Sequence, residues 1–187
     1  YIKNAFEIFT YDKTPAISGR SFIIPSKLKK YFKANIRVSY EFGNCNFKAS
    51  VRQHGDLNDH IVLKKGNLHR SLKVKLKDGN ILNAVNFRVL IPETRNSMNE
   101  ILGGVILNQL GFIAPESFEM LVTVNNIKSK MIFYEDSRKE MLERRLRREG
   151  PIFTGDESLI WSDKISNKTA AVDLSLTRLI NHKWFLR

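Results

Sequence analysis

Cysteine is almost absent from this 187-residue sequence, in which Cys45 is the only one. A single cysteine cannot form an internal disulfide or supply the paired thiolates of a Cys-based zinc site. No histidine or acid stands in an evident catalytic arrangement with it, so we interpret Cys45 as an incidental thiol. The loop between residues 54 and 60 carries histidines and aspartates, but their spacing matches no established ligand signature. We therefore predict no metal site.

Long apolar runs are also missing, although 42% of the residues are hydrophobic. That content is typical of a globular chain with a core, and we predict no transmembrane segment. The sequence begins at Tyr1 with no signal-peptide pattern, and it reaches Arg187 within a helix-like pattern. We therefore expect a fragment of a longer protein.

Acidic residues are scarce: 19 Asp and Glu stand against 31 Lys and Arg, which gives a formal net charge of +12. Such a charge favours anionic partners, among them nucleotides, nucleic acids, other polyanions and acidic proteins. The charge alone does not choose among these partners.

Hydrophobic alternation predicts most of the strands. Residues 1–35 show no clear period, and we interpret them as an extended lead-in. Residues 36–42 and 47–51 alternate with a period of two, and we predict a β-hairpin that turns at Gly43-Asn44. Residues 71–77 and 84–91 predict two further strands, the second of which Pro92 ends.

The strand at 71–77 places Lys73, Lys75 and Lys77 on one face and apolar residues on the other. Lysines commonly line a solvated edge strand, where they discourage aggregation. Alternatively, one of them reaches nucleotide phosphates, as the strand lysine of protein kinases does. The pattern leaves both interpretations open.

A central helix is predicted to begin near Asn99 and to end at Gly111, with residues at helical spacing that form one apolar face. Glu100 lies in its first turn, where a carboxylate complements the helix dipole. Residues 118–124 and 130–134 then predict a hairpin that turns at Asn125-Asn126 and ends at Glu135.

Charged residues dominate the predicted helix at 137–149, whose arginines either form a solvated face or bind a polyanion. Asp173 is placed to cap a last helix at 174–187. We predict the α+β class: a mostly antiparallel sheet with a central helix and further helices at the C-terminal end, in one domain over residues 36–187.

The succession of motifs between Arg52 and Asn181 resembles the CotH-like (spore-coat protein H) kinase family. The shared motifs are the Arg52-x-x-Gly55 segment, the lysine-rich strand of residues 71–76, a helix closing on Leu110-Gly111, the Ala114-Pro115 segment, a hairpin with an Asn turn, and a strand ending in Glu135. The family usually has Asn-Gly in the hairpin and a Gly before its second strand, where this chain has Asn125-Asn126 and Ser129-Lys130.

This resemblance implies the N-terminal lobe of an atypical protein kinase that binds ATP with Mg²⁺ for phosphoryl transfer to protein Ser or Thr. The residues that it assigns to nucleotide binding are Arg52, Gly55, Lys73, Lys75, Glu100 and Glu135. Glu100 would pair with Lys73, and Glu135 would border the nucleotide pocket. The catalytic carboxylates would lie beyond Arg187, so we expect this fragment to be inactive.

Two other functions remain open. The charge suits a non-catalytic basic module that binds nucleic acid or another polyanion, although no RNA- or DNA-recognition motif is present. The second of these functions is a structural role in a coat or envelope. The compartment is not determined by the sequence: the cytoplasm and a cell-surface or spore-coat location both remain open.

Overall fold

The computed structural model describes residues 2–11, 24, 26–56, 58–96, 98–154 and 178–179. Three α-helices and ten strands occur in this part of the chain, with short 3₁₀ turns between some of them. In chain order they are α1 (Ile2–Tyr11), β1 (Phe32–Tyr40), β2 (Gly43–Gln53), β3 (Ile61–Lys64), β4 (Asn67–Arg70), β5 (Leu72–Leu76), β6 (Asn86–Leu90), α2 (Asn99–Gln109), β7 (Ser117–Val124), β8 (Ile127–Glu135), α3 (Lys139–Arg144), β9 (Phe153–Thr154) and β10 (Arg178–Leu179).

The chain divides into two compact units, Tyr1–Asp136 and Ser137–Arg187. The first unit contains a six-stranded sheet in the order β1-β2-β5-β6-β8-β7, in which every neighbouring pair is antiparallel. The predicted class, α+β with a mostly antiparallel sheet, is confirmed. The division differs from the predicted single domain over residues 36–187, because the first unit begins before that range and ends at Asp136.

Two hairpin turns were predicted, and the structure confirms one of them in place. Asn125 and Asn126 both have positive φ, 49° and 67°, as a type I′ turn between β7 and β8 requires. The β1–β2 turn instead lies at Glu41-Phe42, because Tyr40 pairs directly with Gly43. Gly43 therefore belongs to the strand rather than to the turn.

The core of the first unit lies on one face of the sheet. Alternate residues of the central strands point into it, as their period of two requires. Its fully buried members include Ala49, Val51, Leu72, Val74, Leu76, Phe87, Val89, Met131 and Phe133. Phe133 stacks between Phe87 and Phe118, with ring centroids 4.9 and 4.8 Å away. This apolar face holds the strands together. The opposite face carries the buried Leu90 and Ile132 as well as polar residues.

The N-terminal segment is helical over Ile2–Tyr11, so the predicted extended lead-in is wrong there. Asn4 and Ile8, one turn apart, are both buried. Ile8 packs with Ile24 and Ile61, while the Asn4 amide donates to the Leu28 carbonyl at 2.9 Å. These contacts stabilise a helix whose β-branched and aromatic residues have weak intrinsic helix propensity.

A buried polar network joins this helix to the sheet. The Arg70 guanidinium, 4% exposed, donates to Gln53 Oε1 at 2.7 Å and to Asn4 Oδ1 at 3.3 Å. The Gln53 amide in turn donates to the backbone carbonyls of His54 and His60. Buried polar groups need such partners, so the network fixes β2, β4 and α1 relative to one another.

The central helix α2 has the predicted extent, and Gly111 follows it with φ +82°. No residue of the helix is buried, so its apolar side chains do not belong to the core. The helix approaches β7 at Gly104, where an added Cβ would lie 3.2 Å from Ser117 Oγ. The apolar side chains that remain exposed are Leu102, Val105, Ile106, Leu107 and Leu110.

In the second unit, α3 covers only Lys139–Arg144 of the predicted helix at 137–149. Arg178–Leu179 pairs with Phe153–Thr154 as antiparallel strands, so the helix predicted at 174–187 is wrong at those two residues. The rest of that prediction, including Asp173, lies outside the described residues.

Among the helices that the structure describes, none has the length and apolarity needed to cross a membrane.

Candidate anion-binding site

A row of polar side chains crosses the sheet on the face opposite the core. Arg52 of β2 pairs with Lys73 of β5, Lys73 pairs with Arg88 of β6, and Arg88 pairs with Tyr134 of β8. Directly opposed residues on adjacent strands share a face, so these four side chains lie side by side. We call Arg52, Lys73 and Arg88 the cation row.

Asp136 neutralises part of the cation row. Its Oδ2 lies 2.8 Å from Lys73 Nζ, and its Oδ1 accepts from Arg88 Nε at 2.7 Å. The carboxylate is 3% exposed, whereas the Lys73 and Arg88 side chains are 19% and 31% exposed. The Asp136 backbone N–H donates to the Asn86 carbonyl, which fixes the residue at the end of the sheet. One charge-assisted hydrogen bond and one ion pair therefore hold the two cations in place.

His54 lies two residues beyond Arg52, directly after the end of β2. Burial, together with the nearby positive charges on Arg88, Arg95 and Lys73, lowers the pKa of its imidazole from the ordinary value of 6.5 to about 2. The ring is therefore neutral near pH 7. His60 contacts it edge-on, with centroids 5.2 Å apart, and burial also lowers the pKa of His60.

Gly55 makes the sharp turn that follows β2. Its φ of +90° favours glycine, and an added Cβ would lie 1.8 Å from the His60 ring. The immediate neighbour of Gly55 is the His60 imidazole, so the absence of a side chain permits the close approach of that ring to the chain.

Glu100 enters the site from the first turn of α2. Its Oε2 lies 3.6 Å from Arg95 Nε, and its negative charge acts on the nearby Tyr134 hydroxyl. Burial, followed by the Glu100 charge, raises the pKa of Tyr134. The predicted Lys73–Glu100 pair is not formed, because Asp136 is the carboxylate that contacts Lys73.

Glu135 and Lys75 lie outside the cluster. Glu135 pairs in register with Phe87 on the core side of the sheet, is 1% exposed, and accepts the Glu116 backbone N–H at 3.1 Å. Lys75 shares a face with Lys73 but is exposed, and it pairs with Ser50 and Asn86. Of the predicted residues, the structure therefore brings together Arg52 and Lys73, with Gly55 and Glu100 at the margins.

Sequence reasoning missed Arg88 and Asp136. The alternation in Asn86–Leu90 places Arg88 between the buried Phe87 and Val89, so a signal for its outward position was present. Asp136 carries no comparable signal, because its contact with Lys73 depends on the register of β6 against β8. Arg95 and His54 likewise join the site only through the fold.

The arrangement suits an anion of several negative charges. Arg52, Lys73, Arg88 and Arg95 face two carboxylates, Asp136 and Glu100, which leaves positive charge in excess. Guanidinium groups bind phosphate oxygens in a forked geometry, and an ammonium adds a mobile point charge. Within the described ranges, no cluster of three or more His, Cys, Asp or Glu side chains is arranged to hold a metal ion.

No protein-family model matches the chain, and no curated protein matches it either. The resemblance to the CotH-like kinases therefore depends on the motifs quoted above, and the interpretation of the site depends on its own geometry.

Proposed function

We propose that this chain carries the nucleotide-binding part of an atypical protein kinase similar to the CotH-like family. ATP is the substrate, its phosphates contact the cation row, and the acceptor is a Ser or Thr of a protein. The proposal assigns no Mg²⁺ ligand and no catalytic base to the described residues.

The cation row is the observation that supports this proposal most directly. Neighbouring strands lie roughly 4.8 Å apart, so cations on three adjacent strands span roughly 10 Å. A chain of phosphates matches that spacing better than a single carboxylate does. Positive charge and fixed geometry are what phosphoryl transfer requires of the residues that hold the phosphates.

Asp136 has a defined role in this proposal. It holds Lys73 and Arg88 in position while no nucleotide is present, and it competes with phosphate for the same two cations. Nucleotide binding then exchanges part of one ion pair for another. Since His54 is neutral near pH 7, its ring can approach a phosphate without adding or removing charge.

Calorimetric titration with a non-hydrolysable ATP analogue and Mg²⁺ tests the proposal. We expect Lys73→Ala and Arg88→Ala each to weaken binding about tenfold or more, since a hydrogen bond to a charged group contributes roughly 1.5–3 kcal/mol. Lys77→Ala is the matched control, because Lys77 is exposed just beyond the end of β5. It removes the same charge and should leave the affinity within about twofold.

Failure of the wild-type chain to bind the analogue would overturn the proposal. An equal loss of affinity in all three variants would also contradict it, because net charge rather than the cation row would then explain binding. Circular dichroism and urea unfolding of each variant establish that it is folded under the conditions of the titration.

A second candidate function, a non-catalytic module for nucleic acid or another polyanion, has one observation in its favour. The Arg52 guanidinium lies 5.3 Å from the ring of Tyr31, which is 54% exposed. An exposed aromatic beside an arginine can stack on a base. This function predicts that nucleic-acid binding depends steeply on salt concentration and is lost in Tyr31→Ala. Binding of the ATP analogue should be insensitive to that substitution.

A further inference from the structure

A groove of about 590 Å³ lies in the first unit and contains no residue of the cation row. Its walls are the β3–β4 hairpin on one side and the β7–β8 hairpin on the other, with the turn after β6 between them. Apolar side chains line part of its surface, among them Ile91, Pro92, Met98, Ile127 and Met131. Its size falls in the range of ligand pockets.

One strand edge is open along this groove. β6 pairs with β8 only from Ile132 to Glu135, because β6 ends at Leu90 and Pro92 then turns the chain away. Among the described strands, none pairs with that side of β8 between Ile127 and Met131. An open edge of this kind can pair with another extended segment.

The direction of the backbone groups follows from the neighbouring hydrogen bonds. The Asp136 N–H donates to Asn86 on the β6 side, and the Glu135 N–H donates to Glu116 on the β7 side. Because these directions alternate along a strand, Lys128 and Lys130 direct their backbone N–H and C=O groups towards the groove.

The groove also carries uncompensated positive charge. Lys64 is ion-paired with Glu93, and Lys130 Nζ lies 3.0 Å from Glu119 Oε1. Lys65 and Lys128 are exposed, and no carboxylate of a described residue pairs with either of them. An acidic occupant would therefore gain two ion pairs without displacing an existing one.

We propose that this groove binds an extended acidic segment of a partner protein, which adds a strand beside β8. The side chains of the added strand alternate between the two faces of the sheet. Acidic residues on one face of the added strand then lie beside Lys128, and apolar residues on its other face lie beside Ile127 and Met131. This recognition mode takes affinity from main-chain hydrogen bonds and specificity from alternate side chains. It is independent of the proposed nucleotide site.

Fluorescence anisotropy with a labelled short peptide in which Glu alternates with Val tests the proposal. We expect saturable binding at fixed ionic strength, weakened about tenfold or more by the double variant Lys65→Glu/Lys128→Glu, a loss of about 1.4 kcal/mol. The matched control is Lys33→Glu with Lys77→Glu, two exposed lysines outside the groove. It makes the same change in net charge and should leave binding within about twofold. Equal losses in the two variants would overturn the proposal.

N-methylation of alternate peptide amides tests strand addition itself. Methyl groups on the amides that face β8 should abolish binding, and methyl groups on the other set should preserve it. If both methylated peptides bind equally well, or if the wild-type chain self-associates through the groove and excludes the peptide, the proposal is wrong.

Discussion

The two faces of the six-stranded sheet are built from alternate residues of the same strands, yet the cation row on one face has the opposite chemistry to the core on the other. On β5, β6 and β8, Val74, Val89 and Phe133 point into the core, while Lys73, Arg88 and Tyr134 point the other way. The apolar face supplies burial, the main favourable contribution to folding. The polar face keeps its charges at the margin of solvent and holds them with one buried carboxylate. Neighbouring residues on one strand therefore lie in two different environments, one that stabilises the fold by burial and one that carries charge.

The largest effect that separates the two faces is expected at Phe133. Phe133→Ala removes a ring that is 1% exposed and stacked between two others, and it should lower the free energy of unfolding by about 3–5 kcal/mol. Urea unfolding followed by circular dichroism measures this. Tyr31→Ala, at an exposed aromatic, serves as the control and should cost less than about 1 kcal/mol. Equal losses would mean that the core has been wrongly located.

A smaller loss of stability, accompanied by a gain in binding, is expected on substitution of Asp136. Asp136→Asn removes the carboxylate charge between Lys73 and Arg88, and it should lower the free energy of unfolding by about 1–3 kcal/mol. If the cation row binds phosphates, the same change should strengthen binding of the ATP analogue, because the competing anion is gone. Urea unfolding and calorimetry measure the two effects on one sample.

Glu119→Gln is the control for Asp136→Asn, since it breaks the partly exposed pair with Lys130 and should alter stability by less than about 1 kcal/mol. A gain of stability in Asp136→Asn would show that the buried carboxylate opposes folding. Weaker binding of the ATP analogue by that variant would contradict the role of Asp136 as a competitor.

The smallest expected effect is a dependence of stability on pH. The pKa of His54 is lowered to about 2 in the folded chain, so below pH 6.5 the unfolded chain binds a proton that the folded chain does not. Stability must then fall as the pH falls, by about 1.4 kcal/mol between pH 7.5 and pH 5.5 for one such group. His60, whose pKa burial also lowers, contributes in the same direction.

Urea unfolding at the two pH values checks this, and His54→Gln should reduce the difference by up to that amount. His69→Gln on β4, outside the cluster, controls for the loss of a histidine. An unchanged pH dependence in His54→Gln would show that the imidazole is not held neutral by its surroundings.

Local patterns predicted the parts of the fold that depend on local chemistry. The alternation in Leu72–Leu76 placed Lys73 on the polar face, and the Asn125-Asn126 pair marked a turn that needs positive φ. The partner of Lys73 could not be predicted in this way. Asp136 reaches it only because β5, β6 and β8 are aligned in one register, which many residues along the chain determine jointly.

The predictions that were wrong have the same physical origin, because they also depend on contacts between distant parts of the chain. The α1 segment has weak helix propensity, and contacts with Ile24, Ile61 and Leu28 stabilise it as a helix. The spacing of apolar residues in α2 is compatible with a buried face, but the helix approaches the sheet only near Gly104. The open edge of β8 depends on where β6 stops relative to it, which neither strand's sequence reveals.

The buried contact between Asn4 and Arg70 also limits how the chain can be shortened. A version that begins after α1 would lack the amide that accepts from the Arg70 guanidinium, and it would expose Ile24 and Ile61 to water. Trimming the first eleven residues to obtain a smaller sheet domain would therefore reduce solubility and loosen the β3–β4 hairpin. Residues 2–11 should be kept in any minimal version of this protein.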